Sequence, residues 1–278
     1  MATELDVKNL EEIAKKLRCN VIKMVSTAGS GHLGGSLSAM EVIVYLYFYH
    51  MRLDPRNPKW EDRDRFILSK GHCAPVQYAA LAERGYFDED VLWTLRDIGS
   101  ILQGHPDMKK TPGIEITTGS LGQGLSCGVG MAIGAKLSGK DYKVYVMVGD
   151  GEIQSGQIWE AAMAASHHKL DNLVVFVDNN KLQSDGITRE IVNIEPIREK
   201  WEAFGWEATE INGNNFEEID AAFQKMDWKN GMPKVIVSNT VKGKGVSFME
   251  CAVSWHSGAP TEEQVENAIK EIGGGLQK

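Results

Sequence analysis

No basic cluster interrupts this chain. Its 278 residues carry 38 Asp and Glu against 30 Lys and Arg, for a formal charge of -8. Holding a polyanion requires grouped Lys and Arg to neutralise phosphates, so nucleic acid is excluded as a partner. Lys8, Lys15, Lys16, Arg18 and Lys23 come nearest to such a group, but they are interleaved with Asp6, Glu11 and Glu12 and read as a solvated helix face. Cysteine is scarce: Cys19, Cys73, Cys127 and Cys251 are far apart, and no C-x-x-C pair occurs. Reduced thiols in a cytoplasmic protein are therefore expected. No apolar run reaches spanning length, and the opening MATELDVKNLEEIAKKL is acidic and amphipathic rather than signal-like, so the protein is expected to be soluble, with no membrane partner. Internal repeats, linkers and breaks in composition are also absent, which predicts a single domain over 1–278 with a substantial core.

The most informative segment is DYKVYVMVGDGEIQSGQIWEAAMAASHHKLDNLVVFVDNNKLQSDG, Asp141 to Gly186. An apolar strand ends in Gly149-Asp150-Gly151, a helix follows, and a second apolar strand ends in Asp178-Asn179-Asn180. A parallel βαβ unit brings both carboxyl ends to one sheet edge, where open α/β folds bind ligands. Asp150 offers an anionic oxygen, Asn180 an uncharged one, and the backbone of Leu182 a third. Such a set suits magnesium or calcium holding a diphosphate, and Gly149 and Gly151 let the backbone approach without a Cβ. Further strands are predicted at Arg65 to Ser69, Glu207 to Ile211 and Lys234 to Thr240, alternating with helices. That order indicates an α/β fold, a doubly wound and mostly parallel sheet with helices on both faces.

Helical periods appear from about Val7 to Ser26, Ala39 to His50 with Ser38 as its cap, Ala74 to Glu83, Asp88 to Arg96, Phe216 to Lys225 and Thr261 to Ile272. Gly273 to Lys278 is expected to fray. Ser26 to Ser36 and Asp54 to Asp64 read as loops. A helix entered through Gly119-Ser-Leu-Gly-Gln-Gly124 carries Gly124, Gly128, Gly130 and Gly134, a costly choice that suggests close packing against another helix. Four histidines lie in glycine-rich or irregular segments: His32 in SGHLGG, His72 in SKGHCAP, His105 in QGHPD and His256 in SWHSGAP. Loop polar residues are favoured sites of chemistry, and no zinc-type spacing links these four. His50 and the pair His167-His168 read as structural.

Taken in order, SGHLGG, SKGH, GHPD, TTGSLGQG, GDGE with DNN, and VKGKG with WHSGAP resemble the motifs of transketolases along nearly the whole chain. The resemblance implies thiamine diphosphate with Mg²⁺ or Ca²⁺. It assigns the metal to Asp150, Asn180 and the Leu182 carbonyl, and the diphosphate to His72, Gly151, Lys242 and His256. The Gly119 and Leu121 backbones would line the cofactor, and His32, His105 and His256 would surround a reacting sugar phosphate. Imidazole can serve such ketol transfer as donor and base near neutral pH.

Three departures stand out. Leu33 replaces a usual proline, and Ser155 replaces a glutamate that links paired active sites, although Glu160 follows on the same helix. The chain also ends where a full-length transketolase has used less than half its length. The pyrimidine domain with its catalytic glutamate, and contacts to substrate phosphate, are then expected on a separate partner chain, with two copies of each chain assembled. Rival readings are the α chain of a 2-oxo acid dehydrogenase, which lacks the SGH and SKGH histidines, a synthase joining pyruvate to a sugar phosphate, and a catalytically idle cofactor binder.

Overall fold

The structure, a computed structural model, describes residues 5–273. Five parallel strands, β1 (Arg65–Leu68), β2 (Val144–Gly149), β3 (Leu173–Asn179), β4 (Glu207–Asn212) and β5 (Lys234–Asn239), form one sheet in the order β1-β2-β3-β5-β4. The α-helices are α1 (Val7–Thr27), α2 (Leu33–Ser38), α3 (Met40–Tyr45), α4 (Ala74–Arg84), α5 (Gln123–Leu137), α6 (Gly156–His167), α7 (Thr188–Ile191), α8 (Ile197–Ala203), α9 (Phe216–Gln224) and α10 (Glu262–Ile272).

Strands β2 and β3 are apolar almost throughout because both of their faces are covered. Tyr145, Met147, Val174 and Phe176 point into one core with α1, α2, α3, α4, α9 and α10. Val146, Val148, Val175 and Val177 point into the other with α5, α6 and α8. The crossovers that step outward from β1 to β4 run through α5, α6 and α8, and the return step from β4 to β5 runs through α9 on the opposite face. Right-handed crossovers require this reversal. The result is the expected doubly wound α/β domain.

Local differences from the sequence reading have physical causes. The loop expected over Ser26 to Ser36 turns helical at Leu33. Gly34 and Gly35 serve close approach there: a Cβ on Gly34 would lie 2.9 Å from the Trp255 carbonyl, and one on Gly35 would lie 2.6 Å from Cys73 Sγ. Ser38 caps nothing, since its hydroxyl bonds Gly35 O at 3.1 Å and Asp178 Oδ2 at 2.7 Å. The helix expected to end at His50 closes in a π turn, Leu46–His50. The helix expected over Asp88 to Arg96 is a 3-10 turn, Glu89–Thr94, stopped where Arg96 takes a φ of 67°.

Arg18 does not join a solvated face. It is buried, paired with Glu41, and its Nε donates to the Lys244 carbonyl at 3.1 Å. Nor do the glycines of α5 form one stripe. A Cβ on Gly124 would meet Ser69, and one on Gly128 would meet Val146 at 2.5 Å, so both press against the sheet rather than another helix. Gly130 and Gly134 face open space. A capping box at Thr261 opens α10 and Gly273 closes it in the left-handed region. The fraying predicted beyond Gly273 lies outside the described residues.

Candidate active site

Parallel pairing sets the polar strand ends side by side. Gly149 is in register with Asp178, Asp178 with Ser238, and Asn179 with Asn239. Immediately beyond these ends lie Lys70 to His72, Asp150 to Glu152, Asn180 to Leu182, and Lys242. They enclose a cavity of about 390 Å³, completed by His32 from the start of α2 and by His256 from the loop before α10. Ten of the eleven residues singled out from the sequence line it: His32, His72, Gly119, Leu121, Asp150, Gly151, Asn180, Leu182, Lys242 and His256. His105 stands at its edge, behind Gly119, where a Cβ would lie 3.2 Å from the imidazole.

Asp150 is buried. Its two oxygens accept from the Gly151 amide at 2.8 Å and the Thr188 hydroxyl at 2.9 Å. Burial, and next the charge of Asp178, push its carboxyl up to about 6. Asn180 Oδ1 accepts from the Leu182 amide at 3.1 Å, while its Nδ2 donates to Asp178 at 3.1 Å. The Lys242 ammonium donates to the Leu182 carbonyl at 3.0 Å and lies 2.9 Å from His256 Nδ1. Among the described residues no group of three His, Cys, Asp or Glu side chains is placed to hold a metal ion by itself. The hard oxygen set of Asp150, Asn180 and Leu182 instead fits magnesium or calcium, and an ammonium already rests against one of those oxygens.

Three imidazoles crowd the other wall. The His32 ring centroid lies 5.1 Å from that of His72 and 5.4 Å from that of His256, and His72 and His256 are 5.4 Å apart. Burial, reinforced by neighbouring positive charge, lowers His32 and His72 to about 4 and His256 to about 3. His105 is lowered by the same causes, burial first. All four are therefore neutral near pH 7, able to donate at one nitrogen and accept at the other. His32 Nδ1 is buried without a protein partner.

Sequence reasoning passed over the ionic floor of the site. Lys70 and Asp178 form a buried pair, and Asp178 also accepts from the hydroxyls of Ser38 and Thr240. Burial opposes both charges, but their pairing outweighs it, so Lys70 is raised and Asp178 lowered. Glu152, raised by burial, accepts from the amides of Gly122 at 2.8 Å and Gly149 at 3.0 Å and from the Ser69 hydroxyl. It thereby ties the glycine entrance of α5 to β2. The available signal was a charged residue at the carboxyl end of an apolar run: Lys70 two residues past β1, and Asp178 next to the last residue of β3.

Residues 10–277 match the family model described as "Transketolase, thiamine diphosphate binding domain". The chain belongs to the transketolase family. It is 47% identical over 274 residues to a subunit of the apulose-4-phosphate transketolase of Phocaeicola vulgatus, a match covering 99% of this chain and 97% of that protein. It is 45% identical to the 6-deoxy-6-sulfo-D-fructose transketolase subunit SqwG of a Clostridium species, covering 97% of each. The transketolase structure from Leishmania mexicana superposes with a TM-score of 0.91 at 33% identity, over 97% of this chain and 42% of that one.

Transketolases use thiamine diphosphate with a divalent metal such as Mg²⁺ or Ca²⁺, and the oxygen set described above is compatible with both. The family match favours transketolase over the rival dehydrogenase and synthase readings. This chain spans less than half of the solved transketolase, whereas the two relatives named as subunits have nearly its own extent. Leu33 occupies the first position of α2 and is buried. Proline suits that helix position too, so the replacement needs no change of backbone.

Proposed function

We propose that this chain is the diphosphate-binding subunit of a two-chain transketolase, moving a two-carbon ketol unit from a ketose phosphate to an aldose phosphate. In this reading Asp150, Asn180 and the Leu182 carbonyl hold the metal. His72, Gly151, Lys242 and His256 contact the diphosphate, the Gly119 and Leu121 backbones line the cofactor, and His32, His105 and His256 face the sugar. The observation that carries the reading is the set of neutral imidazoles packed beside a hard-oxygen edge. Thiamine diphosphate, when bound, supplies the carbon nucleophile and the electron sink for C–C cleavage. The chain's own part is orientation and proton handling. A neutral imidazole can accept the proton of a sugar hydroxyl and donate to a carbonyl oxygen, and His32 Nδ1 has no protein partner to compete.

The pyrimidine domain and its catalytic glutamate belong, on this proposal, to a separate chain, with two copies of each chain in the assembly. The names of the similar subunits support a partner. The open face at Gly130 and Gly134, with Leu137 84% and Met163 54% exposed, supports self-association. Both relatives' names carry a sugar with an anionic group, which supports an anionic ketose donor here. Among the described residues no helix is long and apolar enough to cross a membrane, and four free cysteines support a cytoplasmic location.

The test is light scattering and a coupled ketol-transfer assay, with ketose phosphate and pyruvate as competing donors, on the chain alone and with its partner. The chain alone is expected to be self-associated and inactive, and the pair is expected to turn over the ketose. A fully active monomer, or turnover of pyruvate only, overturns the proposal.

A further inference from the structure

Lys70, Lys242 and Arg96 stand close to the site, and the first two are committed. Lys70 is neutralised by Asp178, and Lys242 rests against Leu182, Gln183 and His256 on the diphosphate side. The third, Arg96, is exposed. Its φ of 67° is uncommon for a residue with a Cβ, and it folds the chain back so that the Arg96 amide donates to the Leu102 carbonyl at 2.8 Å.

The guanidinium is thereby laid between two loops of the site. Nη1 donates to Ser30 Oγ at 3.2 Å, two residues before His32. The rest lies over Gly104, one residue before His105, where a Cβ would come within 3.2 Å of it. Its charge bears on both His32 and His105 and helps to keep them neutral. Among the described residues no carboxylate pairs with it. The neutral histidines cannot supply a counter-charge to an anionic sugar, and Arg96 can.

We propose that Arg96 is a specificity-determining residue that binds the terminal oxyanion group of the sugar substrate at the rim between the His32 and His105 loops. The proposal rests on the reading of those two histidines as substrate-facing. A guanidinium presents paired donors in a plane that matches an oxyanion and keeps its charge throughout the working pH range, and Ser30 occupies only one of its donors. One contact to substrate phosphate then belongs to this chain, rather than all of them to the partner.

The test compares wild type, Arg96→Gln and Arg96→Gly in the enzyme reconstituted with its partner, using one aldose acceptor with and without its terminal phosphate ester. The glycine variant removes the charge while relieving the backbone. Both variants are expected to raise KM for the phosphorylated acceptor by about 10- to 100-fold, the scale of a charged hydrogen bond. They should leave kcat, and KM for the unphosphorylated acceptor, within about twofold. In parallel, inorganic phosphate is titrated into the full chain while the His105 and His256 ring protons are followed by NMR. Phosphate should move His105 in wild type and not in the variants, whereas binding on the diphosphate side would move His256 in all three. Equal losses for both acceptors, no loss for either, or a His105 response that survives the substitutions would overturn the proposal. If the wild-type enzyme transfers no ketol unit at all, the functional reading fails, and the phosphate titration still decides Arg96.

Discussion

At the residue scale, Asp150 and Lys70 make opposite kinds of prediction. Asp150 is the one carboxylate of the oxygen set, so Asp150→Ala should abolish retention of thiamine diphosphate and Mg²⁺ while the fold survives. Calorimetric titration of the reconstituted enzyme checks this, and wild-type affinity would refute it. Lys70→Met leaves Asp178 charged, buried and without its cation. Breaking one side of such a pair costs about 3–5 kcal/mol, and Lys70→Met with Asp178→Asn should recover part of that loss in urea unfolding. A single variant as stable as wild type would show that the pair is energetically neutral. Asp150, Asn180 and the histidines were legible in the sequence because each sits in a short glycine-marked motif that carries its own geometry. Lys70 and Asp178 were not legible as a pair. They end separate strands, and their contact depends on helix α2 delivering Ser38 and Gly35 to the same point.

Among the elements, α5 shows how one residue type can serve two ends. Gly124 and Gly128 are required where they stand, because any Cβ there meets the sheet. Gly130 and Gly134 meet nothing within the chain. Gly130→Ala and Gly134→Ala should each raise helix stability by about 0.5–1 kcal/mol, the usual difference between the two residues in a helix. If that face is the contact between copies, the same changes weaken self-association. Thermal melting and sedimentation, run on the same samples, separate the two effects, and a gain in stability with unchanged association would remove the face from the interface. Strands β1, β2, β3 and β5 were legible as apolar runs, and α1, α9 and α10 as periodic ones. Helix α2 was not, because glycine in a sequence signals a turn, whereas here it is used for contact with Trp255 and Cys73. The insertion of β5 between β3 and β4 was equally hidden, since strand order is decided by how the crossovers pack.

For the molecule as a whole, half-buried neutral histidines make stability depend on pH. His50 is remote from the cavity and gives the cleanest case. It packs at a tilt against Phe223 with centroids 4.0 Å apart and lies 3.0 Å from the Tyr145 hydroxyl. Burial lowers it to about 4, against the opposing charges of Asp64 and Asp220. Its unfolded value is near 6.5, so the unfolded chain binds the proton first. The stability due to His50 is present in full above about pH 6.5, falls as pH drops toward 4, and changes no further below that. The slope is at most about 1.4 kcal/mol per pH unit. His50→Phe should flatten a urea-unfolding series between pH 7 and 4.5, and an unchanged slope would assign the effect to other groups. Two backbone bonds join the ends of the site, Gly243 N to Gly34 O at 3.0 Å and Gly258 N to Gly31 O at 2.9 Å. They couple a loop made early in synthesis to one made far later. A ribosome-bound chain that has not yet released His256 has half a cavity and no means of closing it, so cofactor capture must wait until that second loop has emerged.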